Sequence, residues 1–75
     1  MDDIKLTSNN AVVAAHEKLM EKLHANDSAG AIAYVEELSY DVHFHTKWKE
    51  LLAIAYTDGG AASGRRAWVE RGAKL

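Results

Sequence analysis

No proline interrupts the 75 residues of this chain, and three of its five glycines, Gly59, Gly60 and Gly64, fall within six positions. Proline and glycine are the strongest local punctuators of a chain. With so few breaks, crowded near residue 60, the sequence favours helices over a sheet joined by many tight turns. The predicted fold class is all-α: a small bundle of three or four helices built from helical hairpins, occupying residues 1–75 as a single domain.

The spacing of apolar residues supports that reading. Val12, His16, Leu19 and Leu23 follow one another at four, three and four positions, with Val13, Ala15 and Met20 widening the stripe. Ser8-Asn9-Asn10 supplies capping side chains just before it, so a helix is predicted over about 9–25, with His16 half-buried on it. Asn26-Asp27-Ser28 forms a turn that can cap the next helix. Ala31 or Ile32, Val35 and Leu38 then define a second helix over about 28–40, with Glu36 and Glu37 off the stripe. Two helices joined by two or three residues run antiparallel, which makes residues 9–40 a hairpin.

Residues 39–46 read two ways. Tyr40, Val42 and Phe44 alternate with polar residues as a strand does, whereas Val35, Leu38, Val42, His45, Trp48 and Leu52 keep helical spacing. A break with Thr46 capping a new helix is favoured over one helix spanning 28–57. Ile4-Lys5-Leu6-Thr7 also alternates, so the alternative fold adds a short two-stranded ribbon of residues 4–7 with 40–45. Trp48, Leu51, Leu52, Ala55 and Tyr56 define a third helix over about 46–57, ended by Asp58-Gly59-Gly60. Ser63 is then placed to cap a short fourth helix carrying Ala67, Trp68 and Arg71, with Arg66 and Glu70 as an i,i+4 pair.

Small size limits what one copy can bury, since a domain of this length removes only about 60% of its unfolded surface from water. There is no cysteine, which excludes disulfides, thiolate metal sites and thiol nucleophiles. Two Trp, three Tyr and one Phe are many large rings for so short a chain to cover. A homodimer, or docking on another protein, is the expected source of further burial. Apolar runs such as Ala11–Ala15 fall far short of the roughly 20 residues of a membrane span. Met1-Asp2-Asp3 lacks the basic start of a signal peptide, so the cytoplasm is the expected compartment and no membrane is involved.

Charge is divided along the chain. Residues 1–60 carry five lysines against ten acidic residues, a balance of −5, whereas 61–75 carry Arg65, Arg66, Arg71 and Lys74 against Glu70, a balance of +3. One consequence is a basic end lying over an acidic body; another is a basic contact site. Arg65, Arg66, Trp68 and Arg71 are the candidate partner-binding residues, because cations beside an aromatic suit a protein interface anchor or a nucleic-acid contact. The overall charge of −2 ranks nucleic acid below protein, phosphate attraction being the main source of non-specific affinity.

Other chemistry finds little support. His43 and His45 would share a face only on an extended segment, and a zinc site needs a third ligand such as Asp41, His24 or His16. Ser8, Ser28, Ser39 and Ser63 sit where caps or turns are expected. Gly59-Gly60-Ala61-Ala62-Ser63-Gly64 resembles a phosphate loop only superficially: the Gly-Lys-Ser/Thr ending is missing and no strand precedes it. It is read instead as a flexible turn between helices. No cofactor and no enzymatic activity are predicted.

One segment recurs. Gly30-Ala31-Ile32-Ala33-Tyr34-Val35-Glu36 returns 34 residues later as Gly64-Arg65-Arg66-Ala67-Trp68-Val69-Glu70, with four of seven positions identical. With Trp48, Leu51, Tyr56, Gly59 and Trp68 in the second unit, and Ala31, Tyr34 and Leu38 in the first, the chain over about 14–72 resembles tetratricopeptide-type helical hairpin repeats. Ala14 stands where that family prefers tryptophan, Gly64 replaces its usual alanine, and its closing proline is absent. The resemblance implies protein or peptide binding in a concave groove. The function read from the sequence is therefore a non-catalytic protein-binding or regulatory adaptor, conceivable as an inhibitor of a larger protein; the alternative is a nucleic-acid-associated factor using the basic C-terminal segment.

Overall fold

The computed structural model describes residues 5–75, so Met1-Asp2-Asp3 and Ile4 lie outside the described residues. Four helices form the bundle: α1 (Asn9–His24), α2 (Ser28–Glu36), α3 (His45–Ser63) and α4 (Arg66–Ala73). The ribbon of the alternative fold is also present, in shorter form, as β1 (Lys5–Leu6) and β2 (Ser39–Tyr40).

α1 starts where the sequence places a cap. The Ser8 hydroxyl accepts the Ala11 amide at 3.2 Å, satisfying one of the amide groups a helix start leaves unpaired. Its buried stripe is Ala15, Leu19 and Leu23, and His16 is exposed rather than half-buried. Asn26, at a φ of 60°, turns the chain in the left-handed region that asparagine tolerates. The Asp27 carboxylate then accepts the Gly30 amide at 3.1 Å and caps α2.

α2 ends at Glu36, four residues before the expected limit, because the chain turns to bury Leu38 and enter the ribbon. The two strands are parallel, with Lys5 opposite Ser39 and Leu6 opposite Tyr40. The Asp41 amide donates to the Leu6 carbonyl at 3.0 Å. The ribbon serves the core: Leu6 is fully buried, along with Leu19 and Val35. Val42–Phe44 form a 3-10 turn instead of extending β2. Thr46 lies inside α3, and Phe44, at the N-cap position before it, makes no side-chain cap.

The largest departure from expectation is α3. Asp58-Gly59-Gly60 does not end it; the helix runs on to Ser63, and Gly64, at a φ of 71°, closes it. The Arg65 amide reaches the Gly60 carbonyl at 2.8 Å, the six-to-one bond of a Schellman closure. Ser63 does not cap α4 either: its hydroxyl donates back to the Gly59 carbonyl at 2.7 Å, and Arg65, at the N-cap position before α4, makes no side-chain cap. Among the described residues no ion pair joins Arg66 to Glu70.

The glycines explain the continuation. A Cβ on Gly60 would stand 2.8 Å from the Val69 nitrogen and 2.9 Å from the Arg65 carbonyl oxygen. One on Gly72 would stand 3.0 Å from the Ala53 carbonyl oxygen and from the Thr57 nitrogen. α4 therefore folds back along α3 with the two backbones in close approach, and these glycines are packing surface rather than breaks. α2 packs on another side of α3 and scarcely touches α4. No helix among the described residues is long and apolar enough to cross a membrane.

Candidate partner-binding site

Residues three apart on a helix share a face, so Arg65, Trp68 and Arg71 form one row along α4. Arg66 falls outside that row, at the edge of a shallow depression with Gly60, Ala61, Gly64 and Val69. The four candidate residues therefore divide three to one.

The row borders the groove left between α2 and α4. At one end, the Arg65 guanidinium carbon lies 4.5 Å from the Trp68 ring centroid, within the range of a cation–π contact. Both residues line a recess of about 290 Å³, whose other walls are the Asn26–Ala29 turn and Ala62 with Ser63 from the end of α3. The recess is lined by residues of both signs, Asp27 and Arg65. Ser28 is only 7% exposed. Trp68 is half-buried and packs against the core, so one part of its ring holds α4 in place while another stays open to the recess.

At the other end, the row is latched. Arg71 lies 5.6 Å from the Tyr56 ring centroid, and the Tyr56 hydroxyl donates to Glu36 at 2.5 Å. This links α2, α3 and α4 and places a cation of the basic segment over the acidic body. The Glu36 carboxylate accepting its proton holds the Tyr56 hydroxyl above the usual tyrosine range. Burial adds to that rise, and Arg71 offsets part of it.

The histidines lie elsewhere. His43 sits in the 3-10 turn and His45 opens α3, so they do not share the face of a strand. The His45 ring instead lies 5.4 Å from Tyr40 and 5.9 Å from Trp48. Tyr40 and Trp48 stack at 4.9 Å, and the Trp48 indole donates to the Val35 carbonyl at 2.8 Å. Among the described residues no three His, Asp or Glu side chains are grouped to hold a metal ion. The segment read as a phosphate-loop look-alike, or as a flexible turn, is the last five residues of α3 with its closing Gly64.

Sequence reasoning missed the opposite wall of the recess and the Glu36–Tyr56–Arg71 latch. A local signal for the first existed in the Asn26-Asp27-Ser28 turn, but its meeting with Arg65 is a tertiary event. Comparison of the chain with protein-family models, curated proteins and solved structures finds no match.

Proposed function

We propose that this chain is a non-catalytic binding domain, a cytoplasmic adaptor or regulator that acts as a homodimer and engages another protein through the α2–α4 groove. The observation that carries the reading is the Arg65–Trp68 stack beside the recess of about 290 Å³. Arginine and tryptophan are over-represented among the few residues that dominate interface energies. Stacking holds the guanidinium in place before a partner arrives, which reduces the ordering cost of binding. The mixed charge of Asp27 and Arg65 suits a protein surface, which offers both signs, better than a polyphosphate backbone. Nucleic acid draws less support, since Arg71 is committed to Tyr56 and Arg66 lies off the row. Inhibition would follow from the same contact where the surface covered is a larger protein's active site.

The test is affinity capture from cells of the source organism with the wild-type chain and with Arg65→Glu, before and after nuclease digestion. Arg65 is exposed, so the variant should stay folded, its stability lowered by no more than about 0.5–1 kcal/mol for the lost contact with Trp68. A partner held by wild type, resistant to nuclease and lost with Arg65→Glu supports the reading. Capture abolished by nuclease supports the nucleic-acid reading instead.

A further inference from the structure

A second groove lies between α1 and α3. It has a volume of about 250 Å³ and is lined by Val12, Val13, Leu51 and Ile54, with His16, Lys47 and Glu50 at its rim. Val13 is 56% exposed, although it sits on a capped helix whose neighbours Ala15 and Leu19 are fully buried. Apolar side chains at the centre with polar groups around them form the usual anatomy of a protein interface.

We propose that this groove is the homodimer interface, occupied by the same groove of a second copy around a twofold axis. The inference rests on the homodimer reading above and gives it a location. Of three observations, charge and area favour a second copy as the occupant, and placement makes that compatible with the other groove.

The first is charge. A twofold interface sets a patch against itself, so a patch of one sign would repel its own copy. Here the rim carries one cation and one anion side by side, Lys47 and Glu50, with Nζ and Oε2 3.7 Å apart and both side chains more than half exposed. Such a pair can exchange partners across the axis, each lysine meeting the other copy's glutamate. The second is area. α1 has 16 residues, about 24 Å at 1.5 Å per residue. Beside α3 it makes a face about 20 Å wide, or about 500 Å² in projection. Side-chain relief raises that toward the roughly 600–1,000 Å² each partner gives up in a stable interface.

The third is placement. The α2–α4 groove with Arg65 and Trp68 uses different helix faces, so dimerisation leaves it open. A dimer built this way displays two copies of the Arg65–Trp68 recess, and binding at one raises the effective concentration at the other when the partner itself is repeated.

The experiment is sedimentation equilibrium of the full chain from micromolar to submillimolar concentration, with a thermal melt of each variant. Wild type should show a dimer. Val13→Glu should weaken association at least about thirtyfold, the effect of losing a central interface residue, while keeping the helical signal and the melt of a folded monomer. Lys47→Glu and Glu50→Lys should each associate poorly alone, because each faces its own charge, whereas an equimolar mixture should recover the dimer. A wild-type chain monomeric throughout overturns both the homodimer reading and its interface. A wild-type dimer that persists in Val13→Glu, or single charge variants that associate as well as their mixture, overturns the interface alone.

Discussion

Gly59 and Gly60 are neighbours in one helix and should respond to alanine in opposite directions. Either substitution removes the glycine penalty of a helix interior, a gain of about 1 kcal/mol. At Gly59 the new methyl would meet Ser28 Cβ at 3.5 Å and Ile32 Cδ1 and Leu23 Cδ2 at 3.7 Å. Those are ordinary contacts, so Gly59→Ala should stabilise by about 1 kcal/mol, part of it from methyl burial. At Gly60 the methyl would lie 2.8 Å from the Val69 nitrogen and 2.9 Å from the Arg65 carbonyl oxygen. Both belong to backbone, and neither can yield by rotating a side chain. α4 must lift by about half an ångström or more, an overpacking that costs typically about 1–3 kcal/mol, with further loss at Gly72 as the close approach opens. The net effect expected is destabilisation by about 1–2 kcal/mol. Thermal melts followed by circular dichroism resolve this, since about 1 kcal/mol moves the midpoint of a domain this size by about 4–8 °C. Gly59→Ala should melt above wild type and Gly60→Ala below it. Equal shifts of one sign, or a stabilised Gly60→Ala, would refute the close α3–α4 packing from which the groove geometry follows.

Tyr56 titrates above the usual tyrosine value near 10. A folded-state value raised above the unfolded one means that its hydroxyl stabilises the fold fully below pH 10, and that this contribution disappears as pH rises through the raised value. Tyr56→Phe should lower neutral stability by about 1 kcal/mol and flatten the alkaline fall in a pH series of melts; an unchanged alkaline slope would count against the Glu36 bond. Ser8→Ala and Asp27→Ala should each cost about 1 kcal/mol through lost capping, read in the same melts. His43→Gln should change stability by less than about 0.5 kcal/mol, whereas His45→Gln gives up ring contacts worth about 0.5–1.5 kcal/mol.

Much of the bundle was legible because it is local. The α1 stripe, the Ser8 cap and the Asp27 cap all lie within one or two turns of the residues they organise. The ribbon was legible as alternation at Leu6 and Tyr40, though Val42 and Phe44 alternate as well and do not join it. What decides between them is the burial of Leu6 and Leu38 against α1 and α2, which spacing alone does not contain. Gly59-Gly60 misled for a related reason. The same residue type ends a helix when φ is positive, as at Gly64, and admits a neighbouring backbone when it is not, as at Gly60. Only the position of α4 separates the two uses. In the candidate site, the Arg65–Trp68 pairing was readable at three residues apart, whereas the diversion of Arg71 to Tyr56 depends on a hydrogen bond from α3 to α2.

The most direct test of the binding function uses Ala62, which is exposed and lines the recess beside Arg65 and Trp68. A photo-reactive residue at Ala62 should, on illumination in living cells of the source organism, give a discrete adduct with another protein. The adduct should vanish when Arg65→Glu is added and should not form from the same photo-reactive residue at the remote, exposed Thr7. No adduct at Ala62 above that at Thr7, or an adduct indifferent to Arg65→Glu, would contradict a partner-binding role for the α2–α4 groove.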